Sequence, residues 1–192
     1  MMGRVRIIGG DWRGRKLSVP DRPGLRPTGD RARETLFNWL QGHVHGRRCL
    51  DLFAGSGALG LEAASRGADS VVLVERDPAL AAALDEIAST WPGGDRLQVR
   101  CDDAVRWINR EQQAAWDLVF VDPPFRSGLH DPILRSLARP GQVAERGYVY
   151  VESPAGREGI TVASAWSDAF EIDREKRLGD VQIQLWRPRP SV

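Results

Sequence analysis

Two stretches of the chain carry residues that could do chemistry together. The first is Leu50-Asp51-Leu52-Phe53-Ala54-Gly55-Ser56-Gly57-Ala58-Leu59-Gly60. An apolar run ends in an acid, passes through small residues and resumes as Leu59, Leu61, Ala63 and Ala64, the pattern of a buried strand, a tight turn and a helix. Gly55 and Gly57 let the backbone come close to a ligand, and the first N–H groups of the following helix face whatever occupies the crevice. With Gly60 they spell G-x-G-x-x-G, and Glu75 follows about twenty residues on, where an acid can hold a ribose. The second stretch is Asp122-Pro123-Pro124-Phe125, directly after another apolar run. Two prolines fix its backbone, so a carboxylate, a carbonyl and an aromatic face are held in one arrangement.

The glycine pattern alone suits a dinucleotide-dependent dehydrogenase, an S-adenosylmethionine-dependent methyltransferase, or a small-residue turn with no ligand. Asp122–Phe125 tips the balance. A planar substrate with an exocyclic amine would stack on Phe125, while Asp122 and the Pro123 carbonyl accept its two N–H hydrogens. Such acceptors are needed because a nitrogen lone pair delocalised into a ring is a poor nucleophile. Hydrogen bonds to its protons favour a pyramidal nitrogen with its lone pair aimed at a sulfonium methyl group, and alignment supplies much of the remaining rate. Asp122 is also placed to take the proton.

The elements that must position these residues follow from periodicity. Arg4–Ile8 and Arg15–Val19 predict a hairpin around Gly9-Gly10. Its loop, Asp11-Trp12-Arg13-Gly14-Arg15, mixes an aromatic with cations; Trp12 could stack on bases or simply cover the hairpin. Pro20, Pro23 and Pro27 exclude regular structure over Asp21–Thr28. Asp30 is placed to cap a helix over Arg31–Leu40, with Ala32, Leu36, Trp39 and Leu40 on its apolar face and Arg31 and Arg33 pointing elsewhere. After a polar linker, Gly42–Arg48, strand and helix alternate. Strands are predicted at 48–52, 70–75, 97–101, 117–121 and 147–151. Helices follow Gly57, Asp77-Pro78 and Asp103 (with Val105 and Ile108 inward), and one more lies around Pro132–Ala138. Extended pieces at 169–172 and 181–186 close the chain. That order argues for an open, mostly parallel sheet with an antiparallel edge, whose ligands bind beyond the carboxyl ends of the strands.

At 192 residues the chain suits one domain with an appendage. No apolar run is long enough to span a membrane, and the first residues lead into charge, so a cytoplasmic protein is expected. Cys49 and Cys101 adjoin apolar runs and read as buried free thiols. His43, His45 and His130 form no ligand pattern and read as loop or surface residues; no metal is expected. The net charge of +1 hides an asymmetry: residues 1–33 carry +6 and the rest −5. A basic arm on a mildly acidic body suggests a polyanionic partner.

Asp-Pro-Pro-Phe resembles the motif of Rossmann-like methyltransferases that modify amino nitrogens. Arg6–Gly10, Trp12–Lys16, Leu25–Thr28, Arg31, Arg33–Leu40, Phe53–Gly60, Val121–Phe125 and Tyr150–Ser153 resemble the bacterial RsmD family, across nearly the whole chain. The resemblance implies a class I S-adenosyl-L-methionine-dependent methyltransferase fold: a mostly parallel seven-stranded sheet with an antiparallel edge, plus an N-terminal hairpin and helix extension. It implies an RNA-binding, substrate-closing extension at 1–42 and a catalytic domain at 43–192. The implied activity is methylation of the N2 amine of one guanine, guanine 966, of 16S ribosomal RNA, presented in a 30S subunit or assembly intermediate.

The implied roles place Asp51, Phe53, Gly55 and Gly57 around the methionine end of the cofactor, and Glu75 on the ribose. Asp103 (or Asp102 in its stead) and the Ala104 amide meet the adenine edge. Asp122, Pro123, Pro124 and Phe125 hold the guanine, and Arg13, Arg15, Lys16, Arg26, Thr28 and Arg31 meet RNA. A monomer is expected. The competing readings are a DNA or RNA amino-methyltransferase acting on adenine N6 or cytosine N4, a protein glutamine methyltransferase, a dehydrogenase and a cofactor-free RNA-binding module.

Overall fold

The structure is a computed structural model that describes residues 3–19, 29–110, 115–124, 127–156 and 164–190. Strands β1 (Gly3–Arg6) and β2 (Lys16–Val19) form the expected antiparallel hairpin. Helix α1 (Asp30–Trp39) leads to β3 (Arg48–Asp51), α2 (Ala58–Ser65), β4 (Ser70–Glu75), α3 (Pro78–Thr90), β5 (Leu97–Cys101), α4 (Ala104–Arg110) and β6 (Trp116–Val121). Then come α5 (His130–Leu137), β7 (Val143–Pro154), α6 (Ser164–Ala169), β8 (Phe170–Leu178) and β9 (Val181–Pro188). The seven-stranded sheet runs β5-β4-β3-β6-β7-β9-β8, with β3 to β7 parallel and β9 antiparallel to both neighbours. The order reverses between β3 and β6, and a crevice opens there beyond the strand ends.

The central strands are apolar on both sides because both faces are covered. Leu36 and Phe37 of α1, Leu59 and Leu61 of α2 and Leu84 of α3 pack on one face against Leu73, Leu118 and Phe120. Trp107 and Ile108 of α4, Ile133 and Leu134 of α5 and Trp166 of α6 pack on the other, against Leu50, Val72, Val119 and Val149. The hairpin's Val5, Ile7, Trp12 and Leu17 join the first cluster, so hairpin and sheet share one core.

The hairpin docks on the last turn of α2. Both oxygens of the buried Glu62 carboxylate accept backbone N–H groups, from Ile8 and Gly9, each at 2.8 Å. Ser65 accepts from Trp12 and donates to the Gly9 carbonyl. Gly10 has φ +74°, and a Cβ there would stand 1.8 Å from the Ser65 carbonyl oxygen, so only glycine permits this approach. Trp12 is buried edge-on against Trp91 and donates its indole N–H to the Pro92 carbonyl. Of its two readings, the covering one holds.

Several expectations need correction. Gly29, not Asp30, is the N-cap of α1; Asp30 lies inside the first turn and pairs with Arg33. Arg33 is fully buried rather than pointing away, because its guanidinium also donates to the Arg6 carbonyl and ties α1 to the hairpin. Phe37 joins the apolar face, and Trp39 is only half-buried. In α4, Trp107 takes the buried place beside Ile108 and Val105 is half-buried. Cys101 is exposed: it shares the face of Leu97 and Val99 but stands at the last position of the edge strand β5. Cys49 is buried, and burial pushes its thiol pKa well up. His130 is buried and sits at the start of α5. Strand β7 is longer than expected, and α6 gave no periodic signal in six residues.

Candidate active site

Each parallel strand on the site side ends in, or is followed by, an acid. Asp51 ends β3, Glu75 ends β4, Asp122 follows β6 and Glu152 lies near the end of β7. Asp51 pairs with Phe120 in the ladder, so Asp122 stands two residues further along the neighbouring strand, across the crevice. Alternation puts Asp51, Glu75, Asp122 and Glu152 on the face that carries α1, α2 and α3.

Asp51 is the most constrained of them. Gly60 N–H donates to its Oδ2 at 3.0 Å, and the Phe53 amide also faces the carboxylate. The other oxygen, Oδ1, is buried without a hydrogen-bond partner. Burial, opposed by the Gly60 amide and reinforced by the charges of Asp122 and Glu75, pushes the Asp51 pKa up to about 7. Gly60 makes this contact possible: a Cβ there would stand 2.2 Å from Leu73 Cδ2 and 3.3 Å from the Asp51 carboxylate. Gly57 has φ +79° as the N-cap of α2, and Gly55 turns at φ +52°.

Glu75 clamps the loop. Its two oxygens accept the Gly55 and Asp77 N–H groups, each at 2.7 Å, which joins the glycine turn to the start of α3. Asp77 caps α3 by accepting from Ala79 and Leu80. Each Glu75 oxygen keeps a second lone pair for a hydroxyl donor. Between Asp102 and Asp103 the structure makes a distinction. Asp102 is held by Arg106 and Arg110, while Asp103 caps α4 through the Arg106 amide beside the buried Ala104. The Asp102 N–H bonds to the Glu75 carbonyl, so this corner adjoins the glycine turn.

Pro123 is buried, Pro124 is exposed and Asp122 is half-buried. Phe125, Arg26 and Thr28, and the proline stretch at 20–28, lie outside the described residues. Arg31 is exposed in the first turn of α1. Arg13, Arg15 and Lys16 are exposed but stand at the other end of the sheet, where the hairpin loop meets the C-terminal turns of α2 and α3. The eight residues of α2 separate them from the crevice, a length of about 12 Å. The Arg15 guanidinium stacks over Trp91 at 4.7 Å. A polar cavity of about 640 Å³ also lies at that end, lined in part by His45, Arg66, Asp69, Asp95 and Arg96. Its arginines are engaged by Glu62 and the Ala64 carbonyl, and it holds none of the strand-end acids.

Sequence reasoning assigned no role to the groups packed beside Asp122. Tyr150 O–H donates to Glu152 Oε2 at 2.9 Å, and both residues are buried. Burial, then the charges of Glu152 and Asp122, raises the Tyr150 pKa. His130 Nε2 lies 2.8 Å from the Glu152 carbonyl oxygen, and burial lowers the pKa of its imidazole. The signal was available: Val151-Glu152 repeats the pattern of Leu50-Asp51, Val74-Glu75 and Val121-Asp122, an apolar strand ended by an acid.

The arrangement fits a ligand that is cationic at one end and rich in hydroxyls next to it. A buried carboxylate oxygen without a donor, flanked by two further carboxylates, is the complement of a positive charge. The sulfonium, ammonium and ribose of S-adenosylmethionine meet that description. A nicotinamide dinucleotide would instead bring its pyrophosphate toward these acids.

Comparison with known proteins agrees with this geometry. Residues 5–187 match the family described as "Conserved hypothetical protein 95". The chain is 45% identical over 185 residues to Ribosomal RNA small subunit methyltransferase D of Escherichia coli (strain K12), covering 96% of this chain and 90% of that protein. It is 39% identical to the protein of the same name from Haemophilus influenzae, covering 96% and 94%. The solved Escherichia coli structure of yhhF superposes with a TM-score of 0.84 at 41% identity, covering 97% and 98%. A more distant likeness, of fold alone, is to the Thermus thermophilus 16S rRNA N2 G1207 methyltransferase, with a TM-score of 0.68 at 22% identity, covering 98% and 50%.

Proposed function

The chain belongs to the RsmD family of ribosomal RNA small subunit methyltransferases, and on that premise we propose that it transfers a methyl group from S-adenosyl-L-methionine to the N2 amine of a guanine in 16S ribosomal RNA. The observation that carries this reading is the meeting of Asp51 and Asp122 across the β3/β6 crevice. One acid is suited to a cationic cofactor and the other to an amine.

The bound cofactor would supply an electrophilic methyl group on a sulfonium. Asp51 would hold its positively charged methionine end and Glu75 the ribose hydroxyls. Asp103 and the Ala104 amide would hold the adenine edge, leaving Asp102 to its arginines. The Asp122 carboxylate and the Pro123 carbonyl would accept the two amine hydrogens and draw the nitrogen out of conjugation. Asp122 would then take the proton that methylation releases. Phe125 is assigned the stacking role on the resemblance of the motif.

The target base must leave its stack to enter the crevice. Arg31, exposed in the first turn of α1, would meet phosphates near the base, a role assigned with those of Arg26 and Thr28 by resemblance. Arg13, Arg15 and Lys16 would meet RNA farther away, contributing salt-dependent affinity rather than placement of the base. By resemblance, residues 1–42 are assigned as the RNA-binding, substrate-closing extension and residues 43–192 as the catalytic domain, acting as a monomer on a 30S subunit or assembly intermediate.

The test is tritium transfer from labelled S-adenosylmethionine into 30S particles from a strain lacking the gene, with the product nucleoside identified by mass spectrometry. The expected result is N2-methylguanosine at one site, with Asp122→Ala reducing the rate by about 100-fold or more while cofactor binding persists. Label in adenine or cytosine would retain the fold and replace the substrate.

A further inference from the structure

Strands β6 and β7 are parallel neighbours with Val121 opposite Val151, so Asp122 and Glu152 stand side by side. Both lie two residues beyond a pair of packed rings, Phe120 and Tyr150, on the face that carries the cofactor residues. Glu152 is fixed from two directions. Its carboxylate takes the Tyr150 hydroxyl on Oε2, and its carbonyl takes the His130 ring N–H. Holding a second carboxylate beside Asp122, almost out of water, is costly.

We propose that Glu152 is a specificity-determining residue that accepts the N1–H of guanine beside the amine held by Asp122. The chemistry separates the bases cleanly. Every exocyclic amine that this kind of site could methylate has a ring nitrogen next to it. In guanine one of the two ring nitrogens beside the amine, N1, carries a hydrogen. In adenine (N1) and in cytosine (N3) the neighbour carries a bare lone pair. Two adjacent carboxylates therefore meet the continuous N1–H and N2–H₂ donor edge of guanine, and would oppose the lone pair of either other base. Tyr150 and His130 act as positioning residues: one sets the carboxylate's rotation, the other its backbone. The inference rests on the amine-methyltransferase reading above and narrows its substrate.

The experiment compares guanine with 2-aminopurine, which keeps the N2 amine but presents a bare N1. Both are placed at the methylated position of 16S ribosomal RNA by ligation, and 30S particles are reconstituted on each. Wild-type protein is expected to prefer guanine by about 100-fold in kcat/KM, as sites built around a substrate N–H do. Glu152→Gln can turn its amide N–H toward a bare N1. It should lose at least about tenfold on guanine and retain or gain on 2-aminopurine, so that the preference collapses. Thermal melting and cofactor binding accompany each variant. Should Glu152→Gln not fold, Tyr150→Phe keeps the ring and the carboxylate and removes only the positioning hydroxyl; its preference should fall at least threefold, roughly. N2-methylguanosine formed with an unchanged preference in the folded variants overturns this inference alone. A wild-type protein that makes no N2-methylguanosine sinks the parent reading, and this inference with it.

Discussion

Lowering the pH from 7 to 5.5 should weaken S-adenosylmethionine binding by about fifteen-fold, through one residue. Asp51 in the free protein titrates at about 7, because burial and the neighbouring Asp122 and Glu75 charges oppose its ionisation. A cation beside its orphaned Oδ1 reverses that balance and pulls the bound pKa toward or below the ordinary carboxylate range. Binding below pH 7 must then expel a proton, at a cost of about 1.4 kcal/mol, or tenfold in affinity, per pH unit. The ligand's own amino group titrates at about 7.7–8.0, above this window. Calorimetry in buffers of different ionisation enthalpy should report about 0.9 proton released per ligand at pH 6. Asp51→Asn should bind weakly and with no pH slope, which separates Asp51 from the buried His130. Affinity that stays level between pH 5.5 and 7, with no proton released, would refute the reasoning.

The same carboxylate burdens the free fold, and the sign can be worked out. Its folded pKa lies above its unfolded value, so the folded state holds the proton that the unfolded chain has lost; stability contributed by Asp51 falls as pH rises from about 4 to 7 and is level above. Asp51→Asn should therefore raise the melting temperature at pH 8, by at most about 4 kcal/mol in free energy, and a lower melting temperature there would count against it. Gly60→Ala forces a methyl group against the fully buried Leu73, costing about 1–3 kcal/mol. Because the Gly60 N–H holds Asp51, cofactor affinity should fall together with the melting temperature, and an unchanged melting curve would contradict the packing argument. Glu62→Ala strands the Ile8 and Gly9 amides and the Arg66 guanidinium, costing about 3–5 kcal/mol. Limited proteolysis should then cut within residues 4–19, and continued protection would show that the arm docks without this carboxylate.

The fold was legible in the sequence wherever packing follows from pattern. Ser70–Glu75 and Leu97–Cys101 match the expected strands to the residue, the first because a buried parallel strand reads as an unbroken apolar run, the second because a half-exposed edge strand alternates apolar and polar residues. The Gly55/Gly57 turn and Asp77-Pro78 were equally clear, since positive φ and a proline at the first helical position select few residue types. What pattern missed was the buried polar set. Arg33 reads as a solvent-facing residue of an amphipathic helix, and only the hairpin carbonyl brought above it by tertiary docking makes it interior. His130 is likewise buried through a partner on β7, the Glu152 carbonyl, which no local spacing announces. The placement of the basic residues was hidden in a different way: composition marks Arg13 and Arg15 as basic but does not say at which end of the sheet the hairpin loop lands. Glu62 and Ser65 decide that, and they lie more than fifty residues away in sequence.

The four strand-end acids show why cofactor and substrate sites share one crevice. A parallel sheet sends every strand's last side chain on a given face to the same edge, and the reversal of order between β3 and β6 leaves that edge uncovered. Asp51 and Glu75 lie toward β4, while Asp122 and Glu152 lie toward β7. On the function proposed above, the first pair would face the cofactor and the second the base, with the reacting atoms between Asp51 and Asp122. Burial of Asp51, and after it the neighbouring Asp122 and Glu75 charges, oppose ionisation in the empty protein, as the raised Asp51 pKa records. A cationic methyl donor on one side and an amine-bearing base on the other relieve that repulsion from both directions. Cofactor binding should accordingly lower the Asp51 pKa, so that its carboxylate is held ionised beside the methyl donor.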